Sequence, residues 1–167
     1  DMEDEEIHSL YVHPQISALL SLAHGEGFGL PIFEAAYSGL PVICTGWSGQ
    51  LDFLVDEERN EHFYNVGFDL QPVPEQVVWE AVLIKESAWA YPREQSAKQK
   101  MRECYEDLVN KNEDSHALKA CEFGASVQER FAKEKQYEQM VNTILPFIES
   151  EEEKDWRGIL DQVVEYE

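Results

Sequence analysis

Positive charge is what the first third of this sequence lacks. Residues 1–58 contain neither Lys nor Arg, and the first base is Arg59. Over all 167 residues, 34 acids face 13 bases, for a formal net charge of −21. That balance excludes nucleic acid and an anionic membrane surface as expected partners, because both attract a basic face. It also leaves a phosphate ligand with no nearby cation to meet it. Long apolar runs are missing too. None approaches the roughly 18 residues that a spanning helix needs, so no membrane span is expected. The opening stretch Asp1-Met2-Glu3-Asp4-Glu5-Glu6 is acidic, where a secretory signal is basic and then apolar. Cysteine is scarce: Cys44, Cys104 and Cys121 stand far apart and form neither a disulfide framework nor a paired zinc motif. A cytoplasmic setting is the expectation. A start at Asp rather than Met points to a piece of a longer chain.

What is present suits one water-soluble domain with a single sizeable core. Glu5 to Tyr11 reads as a short amphipathic helix. Ile16 to Leu22 and Leu40 to Thr45 are compact apolar runs without alternation, the pattern of strands buried on both faces of a parallel sheet. Between them, Pro31 opens and Gly39 closes an eight-residue segment, the asymmetry that brackets a helix. The unit reads strand, loop, helix, strand. Next come a loop at Gly46-Trp47-Ser48-Gly49, a short helix from Gln50 to Val55, and a third strand within His62 to Leu70. From Pro74 the chain is expected to be helical. Arg93 to Val109 carries a stripe of Ala97, Met101, Tyr105 and Leu108; Ser115 caps a helix to about Phe131; Lys133 to Ile148 carries Tyr137, Met140, Val141 and Ile144. These stripes are expected to be core. Glu149 to Glu153 is an acidic break before a last amphipathic helix with Trp156, Leu160, Val163 and Val164.

The stretch that carries chemistry is His24-Gly25-Glu26-Gly27-Phe28-Gly29-Leu30-Pro31-Ile32-Phe33-Glu34. It follows a strand and opens a helix, where ligands bind in open α/β sheets. Its glycines let a ligand approach the backbone, and a helix's first turn offers free N–H groups to a phosphate. Glu26 and Glu34 suit sugar hydroxyls rather than phosphate, since a carboxylate only accepts hydrogen bonds. Both carboxylates are expected to face one cleft. Other candidates are weaker. His24 has no second ligand cluster beside it, so a metal is not expected. Ser48 lacks the nucleophile elbow of a hydrolase. Cys44 suits a core position, and Trp47 suits either packing or a cleft wall.

The sequence E-G-F-G-L-P-x-x-E-A from Glu26 to Ala35 resembles the signature of retaining GT-B glycosyltransferases, two glutamates with seven residues between them. The run Ala35 to Ile43 is similar to that family's helix and next strand. Ser48-Gly49-Gln50-Leu51-Asp52 resembles its G-G-x-x-E, with Ser for the first Gly and Asp for Glu. Trp89-Ala90-Tyr91-Pro92 and Phe131-Ala132-Lys133-Glu134 fit the family's C-terminal helical region more loosely. The resemblance covers residues 5–55 in motif form, extends to about 148, and stops before the tail.

The resemblance implies an α/β fold: a partial Rossmann-like parallel sheet with its N-terminal strands missing, followed by C-terminal helices. Residues 1–148 would be a truncated donor-binding domain, and 149–167 the acidic break and final helix. It implies a nucleoside diphosphate sugar as donor, transfer to a hydroxyl with retention, and no metal or other cofactor. Glu34 would hold the ribose. Glu26, the catalytic candidate, would contact hydroxyls of the transferred sugar. Gly27, Phe28, Gly29 and Leu30 would line the diphosphate through their backbone. The family's diphosphate-binding Arg and Lys, its first strands and its N-terminal acceptor domain have no counterpart here, so the chain alone is expected to be inactive. The competing reading is a non-catalytic Rossmann-like interaction module derived from such an enzyme. A phosphorylase or epimerase shares the architecture, but neither motif is present. With the first strands absent, Ile16 to Leu22 is expected to be a sheet edge and the contact of a homodimer.

Overall fold

Val42–Thr45 (β2) is buried at every position and forms the middle of a three-stranded parallel sheet. Leu19–Ser21 (β1) pairs with it on one side, with Leu19 opposite Val42, and Tyr64–Val66 (β3) on the other, with Ile43 opposite Tyr64. The computed structural model describes residues 4–79 and 82–145. Around the sheet run the helices Asp4–Tyr11 (α1), Leu30–Tyr37 (α2), the four-residue Leu51–Leu54 (α3), Glu94–Asn110 (α4) and His116–Arg130 (α5). The fold is α/β, a partial Rossmann-like sheet followed by C-terminal helices.

β1, α2 and β2 realise the strand, helix, strand unit that the apolar runs and the Pro31/Gly39 bracket predict. Pro31 sits in the first turn of α2, where its missing N–H costs nothing. Gly39 takes φ 75 just past the helix end, a left-handed conformation that glycine adopts without strain. A Cβ on Gly124 of α5 would lie 2.9 Å from the Ala36 carbonyl oxygen and from Gly39 Cα. The backbone of α5 therefore rests directly on the end of α2. Ser115 caps α5, its Oγ accepting from the Leu118 amide at 3.3 Å.

Three expectations need correction. β1 is not buried on both faces: it spans three residues, and Leu20 is 42% exposed. Being an edge, it is covered on fewer sides than β2. The single strand expected within His62 to Leu70 breaks at Gly67 into β3 and Phe68–Pro72 (β4). β4 pairs antiparallel with Ala88–Pro92 (β5), Gln71 opposite Trp89 and Asp69 opposite Tyr91. The segment after Pro74 is thus a hairpin rather than helix, apart from one 3-10 turn at Glu75–Val77, and Trp89-Ala90-Tyr91-Pro92 lies in a strand.

The stripe on α4 is also rotated from the expected one. Ala97 and Cys104 are buried and Leu108 packs against the same cluster as Tyr64 and Val66, whereas Met101 and Tyr105 are exposed. At 3.6 residues per turn, Met101 and Tyr105 drift about 40° and 80° from the Ala97 direction, while Cys104 and Leu108 stay within about 20°.

The chain divides into two compact units, Asp1–Gln128 and Glu129–Glu167. In the second, Lys133–Ile144 (α6) buries no residue, and its apolar positions Tyr137, Met140 and Ile144 are about half exposed rather than core. The acidic break and final helix expected at 149–167 lie outside the described residues.

Candidate functional site

Between β1 and α2 the chain runs through residues 22–29, and the start of α2 fixes that loop's geometry. Gly29 is the N-cap, with φ 88, and its carbonyl accepts the amides of Ile32 and Phe33 at 2.9 Å each. A Cβ on Gly29 would make only ordinary contacts, at 3.5 Å or more. The left-handed backbone, not space, is what favours glycine there. Among the described residues no backbone carbonyl accepts the N-cap amide of Gly29 or the first-turn amide of Leu30, and a helix start of this kind is where an anion can be held.

A second loop holds the first. The Glu26 carbonyl accepts both Ser48 Oγ at 2.6 Å and the Gly49 amide at 3.1 Å. Ser48 has φ 81, which accounts for glycine as the residue this position would favour. A Cβ on Gly49 would sit 2.0 Å from the Gly27 carbonyl oxygen, so only glycine allows the crossing. Behind the loop, the Phe28 ring packs on Phe33 at 5.2 Å and on Phe53 at 5.1 Å. Leu30 is exposed. Glu26, Gly27, Phe28, Gly29 and Leu30 therefore come together as one loop at the mouth of α2, with Glu26 half-buried.

Glu34 stands one turn further along α2 and is engaged from the side. Its Oε2 accepts the Tyr11 hydroxyl of α1 at 3.0 Å. Burial, then the hydrogen bond and charge of Glu34, push the Tyr11 phenol up to about 12, so Tyr11 stays protonated and donating at neutral pH. Glu34 is not in the first turn, so a favourable interaction with the helix dipole does not account for an acid at this position. Beside it, Ile7, His8, Tyr11, Phe33, Glu34, Tyr37 and Ser38 line a hollow of about 260 Å³.

His24 belongs to packing. Its Nδ1 lies 2.9 Å from the Ala90 carbonyl, and its own carbonyl accepts the Ala90 amide at 3.0 Å. Its ring stacks on Trp89 at 5.5 Å and leans on Tyr91 at 4.3 Å. Trp47 packs on Phe68 at 5.4 Å. Cys44 is buried, and that burial pushes its thiol up to about 12. Among the described residues, no three His, Cys, Asp or Glu side chains gather into a group that would hold a metal ion. No helix there is long and apolar enough to cross a membrane.

Sequence reasoning missed what the β4–β5 hairpin brings to this region. Its signal was present: Phe68-Asp69-Leu70-Gln71 alternates apolar and polar, the period of a strand. The hairpin packs on His24, two residues before Glu26, and carries a cation close to β3. The Arg93 amide donates to the Gly67 carbonyl at 2.8 Å, and its guanidinium grips Asp69 through Nε at 3.0 and 3.1 Å and Nη2 at 2.6 Å. That pairing lowers the Asp69 pKa and raises that of Arg93. Also missed were Thr45 Oγ1 and Gln50 Oε1, buried beside this loop without a partner among the described residues.

A parallel α/β sheet with a glycine-rich loop opening its helix defines a partial Rossmann-like domain. Residues 1–67 match the family model of the glycosyl transferases group 1, which supports a glycosyl transfer function. No curated protein and no solved structure matches the chain.

Proposed function

We propose that this chain is the donor-binding part of a retaining GT-B glycosyltransferase, moving a sugar from a nucleoside diphosphate sugar to a hydroxyl acceptor. The observation that carries the reading is the Glu26–Leu30 loop, pinned by Ser48 and Gly49 and ending in the Gly29 and Leu30 amides that no backbone carbonyl accepts among the described residues, within the segment that matches the family. In this reading the diphosphate lies along Gly27, Phe28, Gly29 and Leu30, Glu34 accepts the ribose hydroxyls, and Glu26 accepts hydroxyls of the transferred sugar. During transfer the anomeric carbon loses its bond to the diphosphate oxygen and gains one to the acceptor oxygen on the same face. The acceptor's proton leaves with the dianionic diphosphate. No metal takes part. The acceptor site comes from an N-terminal acceptor domain, and the setting is cytoplasmic.

Charge limits what the chain does alone. The leaving dianion meets Glu26 and Glu34 but no Lys or Arg in residues 1–58, and Arg93 is committed to Asp69. First-turn amides contribute only about 0.3–1 kcal/mol at an exposed site. We expect no transfer, no donor hydrolysis, and donor affinity weaker than about 1 mM, or roughly 4 kcal/mol. Calorimetry and amide NMR with uridine, guanosine and adenosine diphosphates test this. Shifts confined to Glu26–Glu34 at millimolar ligand support the reading; micromolar binding would sink the argument from charge, and shifts elsewhere would sink the site. The same scarcity of cations favours a second reading, a non-catalytic interaction module, which predicts no response to any of the three.

A further inference from the structure

Tyr11 and Glu34 are 23 residues apart on different helices, yet the phenol donates to Glu34 Oε2 at 3.0 Å in a half-buried setting. Both side chains line the hollow of about 260 Å³ between α1 and α2. Its other walls are Ile7, Phe33 and Tyr37, with His8 Nδ1 and Ser38 Oγ 3.4 Å apart. We infer that Tyr11 is a positioning residue: it holds one oxygen of Glu34 toward α1 so that the other accepts the hydroxyls of a ribose ring seated in this hollow. The inference rests on the donor-binding reading of Glu34 above.

The chemistry is specific about who touches the ligand. A phenol has one proton, and here Glu34 takes it, so Tyr11 acts through the carboxylate rather than by contact. An ionised carboxylate accepts at two oxygens and donates at neither. With Oε2 occupied, Oε1 is left for a partner that can only be a donor, which a vicinal diol is and a phosphate is not. Glutamate is rotamer-rich, and fixing it before the ligand arrives removes ordering that binding would otherwise have to supply. The hollow lies just below the range of drug-sized pockets. It suits one sugar ring with apolar faces rather than a whole nucleotide.

The test is an amide NMR titration of the full chain with uridine and guanosine diphosphates and their 2′,3′-dideoxy counterparts, up to tens of millimolar. The unsubstituted chain should prefer the ribose forms about tenfold, what one hydrogen bond to a charged group confers. In Y11F, which keeps the ring and removes the hydroxyl, the preference should fall to about two- to threefold. E34D withdraws the carboxylate from Tyr11 by one methylene and should fall alike, so the test survives if Y11F does not fold. E34Q should abolish the preference. If E34Q abolishes it while Y11F and E34D retain about tenfold, the positioning role is overturned and the Glu34 reading stands. If E34Q retains it, or the unsubstituted chain shows none, the Glu34 reading falls and the role of Tyr11 falls with it.

Discussion

Gly49 crosses Gly27 so closely that a Cβ on Gly49 would overlap the Gly27 carbonyl oxygen, at 2.0 Å. The reverse is not true, because a Cβ on Gly27 would meet nothing within 4 Å. The two glycines are therefore unequal. Gly49→Ala should destabilise the chain by about 1–3 kcal/mol through overpacking, and Gly27→Ala by less than about 0.5 kcal/mol. Urea unfolding of both variants measures the difference. Equal effects would mean that the two backbones do not cross as described.

Ser48 opposes two terms. Its left-handed φ of 81 costs roughly 1–2 kcal/mol relative to glycine, while its hydroxyl bond to the Glu26 carbonyl contributes about 0.5–1.5 kcal/mol. Ser48→Gly should therefore be close to neutral. Ser48→Ala keeps the strain and loses the bond, so it should destabilise by about 1 kcal/mol. A thermal melt that ranks alanine above glycine would contradict the hydrogen bond.

The three thiols should separate cleanly. Cys121 is exposed, whereas Cys44 and Cys104 are buried, and burial pushes their thiols up to about 12 and about 11. The thiolate is the reactive form. At pH 8, native protein should label only at Cys121, and urea-unfolded protein at all three. Because the folded values lie above the ordinary 9.0, the stability from these two neutral thiols is complete below pH 9. It is lost as pH rises through 11 and 12. Rapid labelling of Cys44 in native protein at pH 8 would refute its burial.

The outer edge of β1 carries an apolar strip, with Leu20 42% and Leu22 39% exposed. Such an edge recruits another strand, and the expected outcome is a homodimer in sedimentation at about 0.15 M salt. The net charge of −21 opposes association, so lowering the salt should loosen it. Leu20→Lys should give monomer at every salt concentration. Native protein that sediments as monomer throughout would rule the edge out as an interface.

The sheet and the loop were legible in the sequence for different reasons. β2 and α2 announce themselves through an unbroken apolar run and the Pro31/Gly39 bracket, signals that are local. The motif anticipated the loop that opens α2 at Gly29, but not that Glu34, a turn into the helix, lines a hollow that Glu26 does not. The hairpin was not found, because Pro72, Val73 and Pro74 hid a strand ending in proline, and the pairing of Gln71 with Trp89 is non-local. Tyr11 was read only as one side of an amphipathic helix. Nothing in the spacing of Tyr11 and Glu34 shows that α1 lies across α2. The α4 stripe failed by rotation: Met101 and Tyr105 satisfy the helical period, and tertiary packing selected the neighbouring face instead.

One backbone hydrogen bond, from the Ala90 amide to the His24 carbonyl, and one contact of the His24 ring with the Ala90 carbonyl tie the loop before Glu26 to the hairpin. Opening that loop therefore requires breaking a bond whose proton sits on Ala90, so solvent exchange at the Ala90 amide is a clock for exposure of the Glu26 loop. The far tip of the hairpin has no such link among the described residues. One residue inserted between Trp89 and Tyr91 would turn the two rings to opposite sides and unseat His24.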